Sequence, residues 1–152
     1  MQYIHYGSDS FDINRFIHPH NVDYKFFTNK PIGGLWASPL NGEENGWIDW
    51  CQANDYEPKN GFSESFIFEL KPDSKVLRLE TPEDIKYGER LGVIFESEPH
   101  NLWGYGIDFE TLMKLRYVAV EAFLNPFIYM TLYGWDCDSL LVLNPECMIF
   151  EE

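Results

Sequence analysis

The chain has 152 residues and a mass of 17.9 kDa, a length that fits one domain able to bury about two thirds of the surface its unfolded form exposes. Its 25 acidic residues against 11 basic ones leave a formal charge of −14, which repels phosphate backbones and anionic lipid and so disfavours nucleic acid and membrane surfaces as partners. Three cysteines, Cys51, Cys137 and Cys147, include no CxxC pair, which argues against a disulfide framework or a cysteine-based zinc site and predicts free thiols.

Gln2 to Tyr6 alternates and is rich in β-formers, which predicts a first strand ended by Gly7-Ser8 with His5 near its close. The stretch carrying Phe11 and Phe16 suits one helical turn, and His18-Pro19-His20-Asn21 reads as loop. Tyr24 to Asn29 is compatible with a second strand or an irregular arm. Lys30-Pro31-Ile32-Gly33-Gly34 is a turn by composition, and Leu35-Trp36-Ala37-Ser38 is apolar enough for a buried strand before Pro39. Glu43, Glu44 and Asn45 then precede an amphipathic helix of about three turns, with Trp47, Trp50 and Cys51 on one face.

Ser63 to Leu70 places Phe66, Phe68 and Leu70 on one side, and Val76 to Leu79 follows a Lys71-Pro72-Asp73-Ser74 turn, together predicting a hairpin. Thr81-Pro82-Glu83-Asp84 combines an N-cap threonine, proline at the first helical position and first-turn acids, so a helix starts there. Asp108 to Leu115 predicts another helix, Tyr117 to Phe123 a strand, and Asn125-Pro126 a further helical turn or two through Met130 and Leu132. Ser139-Leu140-Leu141-Val142-Leu143 is an uninterrupted apolar run expected to be a central strand, and Asn144-Pro145 separates it from a last strand, Cys147 to Phe150. Without internal repeats, the expectation is one α+β domain spanning 1–152, with roughly six to eight short strands and three or four short helices. The opening MQYIHYG has no basic region or long apolar run, and no apolar stretch approaches the ~20 residues of a membrane span, so a cytoplasmic protein is expected.

GxSxG, Walker A, HExxH and GxGxxG signatures are all missing, which lowers the reaction classes they serve. His18 and His20 flank a proline without a nearby acid or thiol, an incomplete ligand set, so no metal is expected.

The order of the local patterns is more informative: Tyr3-Ile4-His5-Tyr6-Gly7-Ser8, then Gly34-Leu35-Trp36-Ala37-Ser38, then a helix with Trp47 and Trp50, and last Ser139-Leu140-Leu141-Val142-Leu143. This succession resembles the ADP-ribosyltransferase superfamily, in particular its diphtheria-toxin and poly(ADP-ribose) polymerase branch. The resemblance covers the two ends and one inner strand, about a third of the chain. It implies a split β-sheet sandwich with short flanking helices and NAD as substrate. His5 would bond an NAD ribose hydroxyl, and the backbone of Tyr6, Gly7 and Ser8 would clamp the nicotinamide amide. Gly34, Leu35, Trp36, Ala37 and Ser38 would form the pocket strand, with Trp36 in place of the family's tyrosine and Trp47 or Trp50 as a second stacking face. Cleaving the bond from ribose to nicotinamide leaves positive charge on the ribose, which a carboxylate stabilises. The family uses a glutamate there, whereas the aligned strand offers Ser139 with Asp138 beside it. Asp136, Asp138 and Glu146 are the acids at hand, and Asp138, immediately before the strand, is the favoured one. Ser63-Glu64-Ser65 is similar to the Ser-Thr-Ser strand of the arginine-specific branch, but His5 points to the other branch and Ser63 and Ser65 are given no role.

Each residue has a plainer alternative: a satisfied structural histidine at His5, core packing for the three tryptophans, turn residues at Asp136 and Asp138, and a solvated Glu146. The leading functional expectation is ADP-ribosyl transfer or NAD glycohydrolysis by a small bacterial or phage effector of toxin-like type. The alternative keeps the fold without catalysis, as an acidic interaction module such as an antitoxin, an immunity protein or a nucleic-acid mimic that binds a basic protein. The tRNA 2′-phosphotransferase branch also consumes NAD, and the scarcity of basic residues counts against it. The acceptor, protein or otherwise, is set by loops around the cleft and is not legible.

Overall fold

The computed structural model describes residues 1–22, 29–40, 46–59, 61–96, 105–132 and 135–150. In chain order the elements are β1 (Gln2–Tyr6), β2 (Leu35–Pro39), α1 (Trp47–Ala53), β3 (Ser65–Leu70), β4 (Val76–Leu79), α2 (Pro82–Leu91), β5 (Ile94–Glu96), β6 (Tyr105–Ile107), α3 (Phe109–Lys114), β7 (Ala119–Ala122), β8 (Ser139–Val142) and β9 (Met148–Ile149). Single 3-10 turns lie at Ile13–Arg15 and Pro145–Cys147. The class is α+β, as composition and patterning predict. The segment 24–28 and the polar residues Glu43, Glu44 and Asn45 expected ahead of α1 lie outside the described residues, and α1 runs for two turns rather than three.

Seven strands form one sheet in the order β4-β7-β8-β2-β1-β3-β9, and β5 pairs with β6 apart from it. The apolar run at β8 is central as expected, held between β7 (Val120 opposite Leu141) and β2 (Trp36 opposite Leu141). β1 lies antiparallel between β2 and β3, with Tyr3 opposite Phe68 and His5 opposite Phe66. The expected β3–β4 hairpin does not form: β3 pairs with β1 and β9, while β4 joins the opposite edge, parallel to β7. A four-residue turn signal is local chemistry and says nothing about which edge the next strand adds to. The curl of the sheet lets a short connection make that jump. Lys71 N–H donates to the Cys147 carbonyl (2.8 Å) just before β9, and Val118 N–H, just before β7, donates to the Lys75 carbonyl (2.9 Å).

The curl has an inner and an outer core. Inside, Tyr3, Phe66 and Phe68 from one half of the sheet pack with Ala119, Leu140 and Val142 from the other. Outside, Leu77, Leu79, Val120 and Leu141 meet Ile85 of α2, Leu112 of α3 and Ile128 and Leu132 of the turns after β7. α2 starts as its sequence dictates, with Thr81 and Asp84 in a reciprocal capping box, and it ends at Gly92, whose φ of 76° is left-handed. Within α2, Gly88 lets β5 approach, since a Cβ there would lie 2.3 Å from Ile94 Cδ1. The turns at 126–132 take the place of the expected helix, although the Tyr129→Asn125 and Leu132→Ile128 backbone bonds (3.0 and 3.1 Å) are helical in span. No helix among the described residues is long and apolar enough to cross a membrane.

One carboxylate sits inside the inner core. Glu121, on β7 and 1 % exposed, accepts from the Tyr3 hydroxyl and from Arg78 Nε at 3.1 Å. Burial, and then the carboxylate's bond and charge, push the Tyr3 hydroxyl pKa well above the usual phenol range. A buried charge with a partner removed is costly, so Tyr3→Phe should lower stability by about 1.5 to 3 kcal/mol, read from the urea midpoint at constant m-value. A loss under a few tenths of that would show that water satisfies Glu121 instead.

Candidate functional site

The C-terminal end of β1, the middle of β2, the start of α1 and the segment leading into β8 surround an open cleft of about 390 Å³. His5, Tyr6, Gly7, Trp36, Ala37, Ser38 and Trp47 from the sequence-based set line it, together with Trp135, Asp136 and Ser139. A volume of this size lies in the range of small-ligand sites.

His5 is fixed by its ring. Nδ1 lies 2.7 Å from the Trp36 carbonyl oxygen, which can only accept, so Nδ1 carries the proton and Nε2 is left as an acceptor. Burial lowers the His5 pKa, partly offset by the bond to Trp36. Beside it Gly7 has φ +118°, a backbone that side chains avoid, and its N–H is held by the Glu64 carbonyl at 3.0 Å.

Trp36 meets Trp135 edge to face, with ring centroids 4.8 Å apart and planes at 78°. Trp135 is anchored by its indole N–H, which donates to the Asn29 carbonyl at 2.6 Å. Trp47 arrives differently. Gly46 offers α1 no side-chain cap, and the Ser38 hydroxyl on β2 accepts from Trp47 N–H at 3.1 Å instead, tying the helix start to the cleft floor. Trp50 stacks behind Trp47 at 5.3 Å with planes 5° apart and does not line the cleft.

Among the described residues, the acid lining this cleft is Asp136. Its φ is +70°, and Cys137 N–H donates to the Trp135 carbonyl (2.8 Å), closing a three-residue turn with Asp136 at the apex. Non-glycine residues in this region cost about 1 to 3 kcal/mol, and such strain concentrates at functional sites. Lys30 Nζ lies 3.9 Å from the Asp136 carboxylate and 5.7 Å from the Trp36 ring centroid. Ser139, at the position where the resemblance puts a glutamate, lines the cleft and donates its hydroxyl to the Cys137 carbonyl at 2.9 Å. Burial pushes the neighbouring Cys137 thiol up to about 11, which leaves it protonated and a poor nucleophile.

The other expected site residues lie elsewhere. Asp138, the favoured carboxylate, is buried and accepts from Leu124 N–H at 2.8 Å, serving the chain after β7. Glu146 is exposed in the 3-10 turn before β9, with its N–H on Asn144 Oδ1 at 3.0 Å. Ser8 and Leu35 border a neighbouring concavity that shares His5, Tyr6 and Gly7 with the cleft. Gly34 is structural: at φ +80° it passes so close to β8 that a Cβ would sit 2.7 Å from Leu141 Cδ1. Trp135 has no counterpart in the sequence reading, and its only signal is an aromatic next to an acid immediately before an apolar strand. No three His, Cys, Asp or Glu side chains group as a metal site among the described residues, and the three cysteines are buried and free.

Compared with known proteins, the chain matches no family model, no curated protein and no solved structure.

The lowered His5 pKa has a consequence for stability. Below its ordinary 6.5 the unfolded chain takes up this proton before the folded one does. The stability due to neutral His5 is therefore full above pH 6.5, falls as the pH drops below it, and levels off under the folded pKa. In thermal melts, His5→Gln should flatten the decline between neutral and mildly acidic pH. Parallel profiles for the two proteins would assign that decline to other groups.

Proposed function

We propose that the cleft binds NAD and cleaves its nicotinamide–ribose bond, passing ADP-ribose to an acceptor or to water, on an ADP-ribosyltransferase-like sheet. The observation that carries this reading is the meeting of His5, Trp36 and Trp47, distant in sequence, in one open cleft with a strained carboxylate, Asp136, in its wall. The indoles offer flat faces for a nicotinamide ring, an interaction worth about 0.5 to 1.5 kcal/mol beyond burial. His5 Nε2, the free acceptor of a ring held by Trp36, suits a ribose hydroxyl donor.

In the reaction the C1′–N bond breaks and its electron pair leaves with nicotinamide, neutralising the pyridinium. The ribose takes the positive charge, and a carboxylate in a site partly shielded from water stabilises it. Asp136 is assigned that role in place of the family's glutamate because it lines the cleft, whereas Asp138 is engaged by Leu124 N–H and Glu146 is exposed in the turn before β9. When water attacks, its oxygen bonds to C1′ and its proton passes to Asp136 or His5 Nε2.

The chain's charge of −14 favours a second reading, a non-catalytic acidic module that binds a basic protein.

Incubating the purified protein with NAD should release nicotinamide. Asp136→Asn should cut the rate about a hundredfold, and Trp36→Ala should raise KM about fivefold for the lost stacking. Absence of both NAD binding and nicotinamide release sinks the enzymatic reading, and a complex with a basic protein that persists in His5→Ala would then favour the acidic module.

A further inference from the structure

Lys30 touches the two groups on which a cationic ring would depend. Its Nζ lies 5.7 Å from the centroid of the Trp36 ring and 3.9 Å from the Asp136 carboxylate. The fold builds this meeting. Trp135 donates its indole N–H to the Asn29 carbonyl at 2.6 Å, and Lys30 and Asp136 are the residues that follow Asn29 and Trp135. One buried hydrogen bond therefore sets the ammonium and the carboxylate side by side. Trp135 also braces Trp36 edge to face, with ring centroids 4.8 Å apart, which holds the indole beside the same pair.

The surroundings favour positive charge at this place. Among the described residues Lys30, Lys59 and Asp136 are the charged groups of the lining, and two further acids act on lining residues. Asp49 adds to the effect of burial in raising the Tyr6 hydroxyl pKa, and Asp138 adds to the effect of burial on the Cys137 thiol. An ammonium beside an indole and a carboxylate gains from the ring's quadrupole and from the opposite charge. A pyridinium is a flat cation that draws on the same two groups, so the two compete for one place. A neutral ring takes over the indole face alone and can leave the ion pair standing.

We propose that Lys30 is an internal competitor of the pyridinium, holding the Trp36 face and the Asp136 carboxylate until a cationic ring takes over both, an inference that rests on the NAD reading above. Lys30 thereby sets how tightly the cleft takes a charged ring, because each binding event first breaks its ion pair and its ring contact. The Lys30 side chain is 45 % exposed, so the displaced ammonium reaches solvent without a change of fold. Each contact it gives up is weak, and the competitor therefore tunes affinity rather than closing the cleft.

The test titrates NAD, the N-methylnicotinamide cation and neutral nicotinamide against the protein and its Lys30 and Asp136 variants, with thermal melts confirming that each variant is folded. Lys30→Gln should tighten binding of the cation about fivefold, the scale of one partly exposed ion pair together with a cation–π contact, and binding of the neutral ring by less. Lys30→Arg, which keeps the charge, should bind the cation as the original protein does. When Asp136→Asn is already present, Lys30→Gln should tighten binding of the cation no more than that of the neutral ring. Cation binding that is unchanged or weaker in Lys30→Gln, or a gain no larger than that of the neutral ring, overturns the competitor role, and the NAD reading stands as long as NAD still binds. No binding of NAD or of either ring by any of these proteins overturns both.

Discussion

The buried Glu121 carboxylate constrains the rest of the structure. A charge in the inner core is tolerated only with partners, and its partners come from both halves of the curled sheet: Tyr3 from β1 and Arg78 from β4. The phenol reaches the carboxylate because β1 faces β7 across the inner core. Two residues beyond Tyr3 on the same strand stands His5, so the contact that closes the core also brings the imidazole to the Trp36 carbonyl at the cleft. β1 thus serves the core with its first half and the candidate site with its end.

Several elements that rest on local periodicity or capping were legible in the sequence. β1, β2 and β8 follow from alternation, a short apolar strand before proline and an unbroken apolar run, and α2 follows from Thr81, Pro82 and Asp84. What depends on distant pairing was not. The Lys71 to Ser74 turn looks like a hairpin, but the partner of β4 is β7, some forty positions on and parallel, a choice made by burial of Leu77 and Leu79 against α2 rather than by the turn. β5 and β6, three residues each, are too short to show a period.

The candidate site divides along the same line. His5, Trp36, Ser38 and Trp47 were readable because the motifs that place them are strand ends and a helix start. The acids before β8 separate because neighbours in sequence diverge in space at a tight turn. Asp136 at φ +70° is thrown toward the cleft, whereas Asp138, two residues on, is drawn to Leu124 N–H. Proximity to a strand in sequence says nothing about which of two acids a tight turn presents. Trp135 has the same origin: it is deeply buried yet borders the cleft, a double role that only the fold reveals.

The plainer explanations for these residues and the functional one are not exclusive. Trp50, stacked on Trp47 and packed by Tyr56, is accounted for by packing alone. His5 is held through Nδ1 by the Trp36 carbonyl, and Asp136 takes a left-handed turn of the kind that Asp55 and Arg116 adopt outside the cleft lining. Glycine at 136 would adopt the turn at lower cost, and an apolar side chain at 5 would leave the Trp36 carbonyl without its imidazole partner. His5 and Asp136 line one open cleft beside the indoles of Trp36 and Trp47, and it is this shared position rather than any cost to stability that motivates the proposed ligand.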